Sequence, residues 1–175
     1  MLEIYSTENE SLYKKLEILL ERKLKKCFEI KRNENGKPFI DGNPLYFSLT
    51  HSRDIALIAI CDKPVGIDLE ICDKGLKSYK HVLNSFSKPE QIWIEKSDKF
   101  FFLNWVCKEA YIKMTGGSLG HDLKRLEFYD FRLFFDKKEI DYCVTAETAS
   151  GVYALCAEGY SKDSLAGIPV NKLLI

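Results

Sequence analysis

The chain has 175 residues, of which 46% are apolar, 13% aromatic and 30% charged. This length fits one domain, and the composition excludes disordered, collagenous and repetitive proteins. Because 26 basic residues balance 26 acidic ones, the chain lacks the overall positive charge of sequence-independent nucleic-acid binders, and we expect no nucleic-acid partner.

The cysteine pattern and the lengths of the apolar runs bear on the cellular compartment. No Cys-x-x-Cys pair occurs, and most of the cysteines sit inside apolar runs, which predicts reduced core residues. No apolar run approaches the roughly 20 residues of a membrane span, so we expect no membrane partner and a cytoplasmic location. The cysteines are Cys27, Cys61, Cys72, Cys107, Cys143 and Cys156.

The first predicted element is a helix over residues 8–26, which ends in a cluster of lysine and arginine. Its leucines recur at helical spacing, with basic residues on the opposite side. From residue 28 to 71, short β-rich runs alternate with turn sequences, and this pattern predicts a small antiparallel meander. The runs are Leu45 to Leu49, Ile55 to Cys61 and Val65 to Ile71.

The second half of the chain predicts helices followed by strands. Residues 78–116 are helical in pattern, with Ser87 to Glu90 offering a cap and a proline near a helix start. Three later runs predict strands: Leu126 to Phe135, Glu139 to Glu147 and Val152 to Glu158. The order of helix, strands, helices and strands indicates an α+β fold.

The sequence Gly66-Ile67-Asp68-Leu69-Glu70 places two carboxylates on one face of a predicted strand. Two carboxylates this close raise each other's pKa unless a cation lies between them, and their oxygens suit Mg²⁺. An exposed strand face would give the same pattern, so the motif alone is weak.

The helix from Phe100 to Met114 carries the next candidates. One arc is apolar, but the opposite arc mixes Lys108, Glu109 and Lys113 with large apolar side chains. Glu109 and Lys113 are one turn apart and could form a simple ion pair. The apolar residues beside them favour a lined cleft, where charged groups must meet partners or ligand.

A third candidate region is Thr50-His51-Ser52, at the point where a predicted strand runs into a polar turn. These three side chains, with Lys37 on a tight turn upstream, offer hydrogen-bond donors suited to a phosphate. A lone histidine is more often structural than catalytic, so His51 gains its case only from these neighbours.

Four motifs in this order resemble the 4'-phosphopantetheinyl transferases, in the longer type that activates surfactin synthetase. They are Gly36-Lys37-Pro38, Thr50-His51-Ser52, Gly66 to Glu70, and Trp105-x-x-Lys108-Glu109-Ala110-x-x-x-Lys113 followed by Gly116-Gly117 and Leu119. The resemblance covers nearly half of the chain, and each motif alone would be much weaker.

The resemblance implies a role for each matching residue. Asp68, Glu70 and Glu109 would hold Mg²⁺ on the pyrophosphate of coenzyme A, and Lys37, Thr50 and His51 would contact its nucleotide part. Lys113 would contact the phosphates near the bond that breaks, with Lys108 beside it. Asp68, Glu109 and Lys113 are thus the expected catalytic residues. Glu109 could accept the serine proton directly or through a water held by the metal, and the sequence leaves this open.

The same resemblance implies a fold, an activity and partners. The fold would have two pseudo-symmetric α/β halves around a shared cleft, within one domain over residues 1–175. The N-terminal half, about 1–62, is shortened, and the C-terminal half is about 63–175. The enzyme would transfer phosphopantetheine from coenzyme A to a serine of an apo acyl or peptidyl carrier protein, as a monomer, releasing 3',5'-adenosine bisphosphate.

The resemblance also implies that the early basic residues that bind the 3'-phosphate in longer relatives have no secure counterpart in the shortened half; Arg22, Lys23, Lys25 and Lys26 are candidates. Lys74, Lys77 and Lys80 form a basic cluster that could meet an acidic carrier helix or could be a solvated face.

Two other functions stay open. A non-catalytic relative could bind coenzyme A or a nucleotide in the same pocket, although the presence of all three acids and Lys113 argues against loss of activity. A metal-dependent phosphodiesterase or nuclease could use Asp68, Glu70 and Glu109, but the sequence lacks a second acidic cluster and a basic surface.

Overall fold

The computed structural model describes residues 1–42, 45–73 and 80–173. The strands are β1 (Leu2–Glu8), β2 (Ile30–Arg32), β3 (Pro38–Ile40), β4 (Tyr46–Ser52), β5 (Ile55–Cys61), β6 (Val65–Ile71), β7 (Leu126–Tyr129), β8 (Arg132–Phe135), β9 (Lys138–Ile140), β10 (Cys143–Glu147), β11 (Gly151–Ala157) and β12 (Val170–Lys172). The helices are α1 (Leu12–Leu24), α2 (Lys80–Leu83), α3 (Lys88–Ile94), α4 (Asp98–Thr115), α5 (Leu119–Asp122) and α6 (Lys162–Ala166).

The first sheet has the strand order β12-β1-β5-β4 and is covered by α1. The helix forms because its leucines recur on one face, and Leu12, Leu16, Leu19 and Leu20 are all buried there. They pack on residues of β4 and β5 such as Phe47, Ile58 and Ile60. This contact fixes α1 beside the strand that carries Thr50 and His51.

The second sheet has the order β10-β11-β6 and packs on the 18-residue helix α4. Close approach of the helix requires a glycine on β6, because a Cβ at Gly66 would lie 1.9 Å from the backbone oxygen of Ala110. The helix is buried on nearly every side. It therefore runs directly along β6, the strand that carries Asp68 and Glu70.

The turn of the β2–β3 hairpin contacts the C-terminal end of α4. Asn33 and Asn35 each donate a side-chain hydrogen bond to the carbonyl oxygen of Gly116, at 3.0 and 2.9 Å. Gly116 adopts a left-handed conformation with φ 72°, as is usual for glycine just after a helix. These bonds satisfy a carbonyl that the helix leaves unpaired and hold the hairpin against the end of α4.

The α+β class predicted from the sequence is confirmed. The helix predicted over 8–26 is shorter, at Leu12–Leu24, and the predicted run from Leu126 to Phe135 is a hairpin that turns at Asp130 and Phe131, both with positive φ. The prediction of one meander over 28–71 is wrong for β6, which pairs with β11 and not with β5. Sequence patterns identify a strand without naming its neighbour.

The prediction that all six cysteines are reduced is also wrong. Cys143 and Cys156 form a disulfide. They stand directly opposite each other on the antiparallel strands β10 and β11, so strand pairing brings together two residues that no short motif links. The thiols of Cys61 and Cys107 are buried, as predicted for core residues.

We call the first sheet with α1 the first unit and the second sheet with α4 the second unit. Strand β12, from the C-terminal region, pairs in parallel with β1 of the first unit. The predicted pseudo-symmetry and the boundary near residue 62 stay predictions. Among the described residues, no helix combines the length and the apolar character that crossing a bilayer demands.

Candidate active site

Two adjoining cavities, of about 520 and 440 Å³, form a cleft between the two units. Tyr13, Leu49, Glu109 and Lys113 line both of them, so the cavities share a wall. The smaller cavity holds the acids and the histidine predicted from the sequence. The larger one extends along the β2–β3 turn to the end of α4. A single elongated ligand could therefore occupy both.

The three predicted acids line the smaller cavity. Asp68 and Glu70 share one face of β6, and Glu109 reaches the same space from α4. Asp68 is only 5% exposed, and its burial raises its pKa despite the opposing effect of Lys113 and a hydrogen bond from Thr50. The structure thus brings together carboxylates from a strand and a helix that are distant in sequence.

The electrostatics of Glu109 reflect this crowding. Burial, then the negative charges of Asp68 and Glu70, raise its pKa to about 7, with Lys113 acting in the opposite direction. Lys113 does not form the simple pair with Glu109 that their spacing allowed. Its Nζ lies 2.5 Å from Oδ1 of Asp68 and donates a hydrogen bond to it. The cleft therefore brings the carboxylates of Glu70 and Glu109 and the ammonium group of Lys113 close to Asp68.

A divalent cation is compatible with this donor set. Carboxylate oxygens are the ligands that Mg²⁺ prefers, and a cation would offset the negative charges of Asp68 and Glu70 that, after burial, raise the pKa of Glu109. In the part of the chain that the structure describes, however, no three metal-ligating side chains approach one another closely enough to form a ready metal site. The acids share a cavity, and the metal assignment of Asp68, Glu70 and Glu109 stays a proposal.

His51 lies on β4 at the exposed rim of the smaller cavity. The amide nitrogen of Asn9 lies 3.3 Å from Nδ1 of His51 and also donates to the carbonyl of Arg53. Since an amide NH₂ can only donate, Nδ1 accepts, and the neutral ring carries its proton on Nε2. This arrangement leaves Nε2 as a donor suited to an anionic ligand.

Lys37 lines the larger cavity, but its ammonium group already has a partner. Nζ donates to the carbonyl oxygen of Met114 at 2.7 Å, near the C-terminal end of α4. Burial lowers the pKa of Lys37 to about 8. Lys37 therefore stabilises the contact between the hairpin and α4, and this bond uses one of the three protons of its ammonium group.

The structure does not bring Lys108 to the other predicted residues. Its side chain is fully buried, and Nζ lies 2.6 Å from Oε1 of Glu90 on α3. Burial lowers its pKa, although the charge of Glu90 opposes this. Lys108 is one residue from Glu109, which is about 100° of rotation on a helix, so the two side chains leave α4 in different directions.

Sequence reasoning missed Tyr13, which lines both cavities from α1. Arg32 of β2 donates to its hydroxyl at 2.8 Å and lies 5.5 Å from its ring, while also donating to the carbonyl of Gly36. This contact joins α1 to the β2–β3 hairpin across the mouth of the cleft. An exposed tyrosine beside Leu12 on an amphipathic helix carries no signal of such a position.

Other basic residues predicted as candidates lie elsewhere. Arg22, Lys25 and Lys26 are exposed at the end of α1, and Lys23 pairs with Glu3 at 2.6 Å. None of the four lines the cleft. Of the predicted carrier-binding cluster, Lys74, Lys77 and the side chain of Lys80 fall outside the described residues.

Comparison with known proteins decides the family. Residues 64–158, more than half of the chain, match the model of the 4'-phosphopantetheinyl transferase superfamily. This chain belongs to that superfamily. The match includes Asp68, Glu70, Glu109 and Lys113 and confirms the resemblance inferred from the motifs. Lys37, Thr50 and His51 lie before the matched residues, so their roles stay predictions.

Curated members of the superfamily are similar over about half of this chain. The 4'-phosphopantetheinyl transferase gsp of Aneurinibacillus migulanus is 36% identical over 92 residues, which are 49% of this chain and 37% of gsp. The 4'-phosphopantetheinyl transferase psf-1 of Bacillus pumilus is 35% identical over a region that covers 51% of this chain and 40% of psf-1. AcpT of Salmonella typhi is 34% identical over 58% and 56% respectively. The matched region thus spans less than two thirds of each transferase.

Proposed function

We propose that this chain transfers the 4'-phosphopantetheine group of coenzyme A to a serine hydroxyl of an acyl or peptidyl carrier protein. The serine oxygen forms a bond to the phosphorus next to pantetheine, the bond from that phosphorus to the bridging oxygen breaks, and 3',5'-adenosine bisphosphate leaves. The observation that carries the proposal is the convergence of Asp68, Glu70, Glu109 and Lys113 on one cleft in a chain of this superfamily.

The residues of the cleft meet the demands of phosphoryl transfer, which are positioning and neutralisation of charge. Lys113, at the wall shared by both cavities, would contact the phosphate oxygens near the bond that breaks. Asp68, Glu70 and Glu109 would hold Mg²⁺, which supplies positive charge to the pyrophosphate when bound. His51 at the rim would donate from Nε2 to the 3'-phosphate.

Glu109 is the group best placed to take the serine proton. It lies in the cleft beside Lys113 and, as a carboxylate, would accept a proton, which is the property that a general base needs. The larger cavity beside it is lined partly by apolar side chains such as Leu49 and Ile112 and would accommodate the pantetheine arm. The carrier serine would then approach from the open side of the cleft.

A direct test is to incubate the purified chain with coenzyme A, Mg²⁺ and several apo-carrier proteins and to measure intact carrier masses. We expect one carrier to gain the mass of one phosphopantetheine group, and the gain to disappear in excess chelator. Glu109→Gln should abolish it, while Arg22→Ala, at an exposed residue that does not line the cleft, serves as the control. Binding of coenzyme A with no mass gain on any carrier would favour the non-catalytic alternative.

A further inference from the structure

Three hydroxyl side chains of β4 join the first sheet to the second next to the predicted acids Asp68 and Glu70. In the described residues β4 and β6 belong to different sheets and share no backbone ladder. Instead, alternate backbone N–H groups of β6 donate to alternate hydroxyl oxygens of β4. The pairs are Ile67 N to Ser48 Oγ at 3.1 Å, Leu69 N to Thr50 Oγ1 at 3.2 Å and Ile71 N to Ser52 Oγ at 3.1 Å.

Two of these hydroxyls also donate to the site carboxylates. Thr50 Oγ1 donates to Oδ1 of Asp68 at 2.9 Å, and Ser52 Oγ donates to Oε2 of Glu70 at 3.1 Å. By the same two-residue repeat, the β6 residue beside Ser48 is Gly66, which has no side chain because α4 packs against it. Within the described residues, Ser48 Oγ therefore accepts the backbone bond without donating to a carboxylate, and Ser48 serves as a control on the same strand.

The Thr50 hydroxyl has one proton, and the carboxylate of Asp68 accepts it. The oxygen meanwhile accepts from the backbone of Leu69, and Thr50 as a whole is 5% exposed. The hydroxyl in this state has no proton to offer to a phosphate in the cleft. The nucleotide contact implied by the family resemblance and the bond to Asp68 thus require different orientations of one group.

We propose that Thr50 and Ser52 are positioning residues, which fix the carboxylates of Asp68 and Glu70 for a divalent cation and do not contact the nucleotide. This inference rests on the proposed function. Each hydroxyl is held by a backbone N–H that cannot move independently of β6, so the carboxylate it bonds has one preferred rotamer. Hydrogen-bond partners of metal-ligating carboxylates are worth about 10–100-fold in metal affinity.

The test compares Thr50→Val, Thr50→Ser and Ser52→Ala with Ser48→Ala, which loses only the backbone bond. Binding of Mn²⁺, as a spectroscopic substitute for Mg²⁺, is titrated in the presence of 3',5'-adenosine bisphosphate. We expect Thr50→Val to weaken Mn²⁺ binding about tenfold or more and Ser52→Ala to weaken it less, because Glu70 is less buried. Thr50→Ser and Ser48→Ala should bind Mn²⁺ as the unchanged protein does.

Kinetics with two substrates then separate positioning from phosphate contact. If Thr50 positions Asp68, Thr50→Val raises the Mg²⁺ concentration needed for half-maximal rate and leaves the ratio of KM values for coenzyme A and dephospho-coenzyme A unchanged. A normal Mn²⁺ affinity with a KM raised for coenzyme A alone would overturn the inference. If Thr50→Val does not fold, the Ser52→Ala and Ser48→Ala pair decides the matter.

The titration also keeps this inference distinct from the proposed activity. Normal Mn²⁺ binding that weakens in Thr50→Val, with no transfer to any carrier by the unchanged protein, would support the positioning role and contradict the transferase. Transfer that is identical in Thr50→Val and the unchanged protein at limiting Mg²⁺ would support the transferase and contradict the positioning role.

Discussion

Helix α4 carries two lysine–carboxylate pairs of similar length in different surroundings. Lys108 Nζ lies 2.6 Å from Glu90, and both side chains are fully buried. Lys113 Nζ lies 2.5 Å from Asp68, but its side chain is 31% exposed to the cleft. The two lysines are five residues apart in one motif, and the family resemblance implied that both lie at the phosphates of coenzyme A.

The partners of each carboxylate show what each pair does. Glu90 also accepts from the backbone of Phe128 at 2.7 Å and of Ser87 at 2.8 Å, and from Asn104, so it connects α3, α4 and β7. Asp68 lies beside Glu109, whose pKa is raised to about 7, in a space that a ligand can enter. The first pair stabilises the architecture, whereas the second is available for chemistry.

Removing one member of the buried pair should have the largest effect on stability. Lys108→Ala leaves Glu90 charged and buried, and we expect the free energy of unfolding to fall by about 3–5 kcal/mol. Urea denaturation measures this change. Adding Glu90→Gln to Lys108→Ala removes the uncompensated charge and should recover part of the loss. A decrease below about 1 kcal/mol in Lys108→Ala would show that the pair is not structural.

The pair at the cleft, Lys113 with Asp68, should show the opposite profile. Lys113→Met should lower kcat by about 10²–10³-fold, because the proposed donor to the transferred phosphate is lost. Its effect on unfolding should be smaller than that of Lys108→Ala, since the Lys113 side chain is already 31% exposed and Asp68 keeps the hydrogen bond from Thr50. Single-turnover transfer and urea denaturation of the same preparations test both statements. Equal losses of stability in the two variants would contradict the division of roles.

The raised pKa of Glu109 predicts a pH dependence of stability. The folded value of about 7 exceeds the ordinary value of 4.5, so between them the folded state binds more protons than the unfolded chain. Its stabilising contribution is complete below pH 4.5 and is lost as the pH rises through about 7.

Glu109→Gln removes this dependence. At pH 8, without divalent cations, we expect the variant to exceed the unchanged protein in unfolding free energy by roughly 1–3 kcal/mol. The difference should vanish near pH 4. Thermal denaturation across this range measures it, and a constant difference at all pH values would mean that Glu109 does not titrate with the raised pKa.

The smallest expected effect is a difference in the salt dependence of the two lysine–carboxylate coupling energies. Double-mutant cycles for Lys113 with Asp68 should give a coupling energy that weakens between 0.1 and 1 M salt, because the Debye length falls from about 10 to 3 Å. The coupling of Lys108 with Glu90 should change little, since water and ions do not reach it. Matching salt dependence would indicate that the cleft is as dry as the interior.

Several parts of the site followed from local pattern. Period-two alternation placed Asp68 and Glu70 on one face of β6, and helical periodicity placed Glu109 and Lys113 one turn apart. The same periodicity could not show that Lys108 faces α3, because α4 is buried on nearly all sides and its polar face is not marked by exposure. The strands β1 and β12 were also missed: β12 is three exposed residues, and the apolar alternation of β1 is limited to Leu2 and Ile4.

The sequence by itself determined the superfamily, the α+β class and the strand and helix that carry the acids, because these depend on residue order and local periodicity. The tertiary structure alone decided the partner of β6, the disulfide between Cys143 and Cys156, and the hydroxyl bonds that orient Asp68 and Glu70. Each of these joins residues far apart along the chain, and which segments meet depends on how the whole core packs.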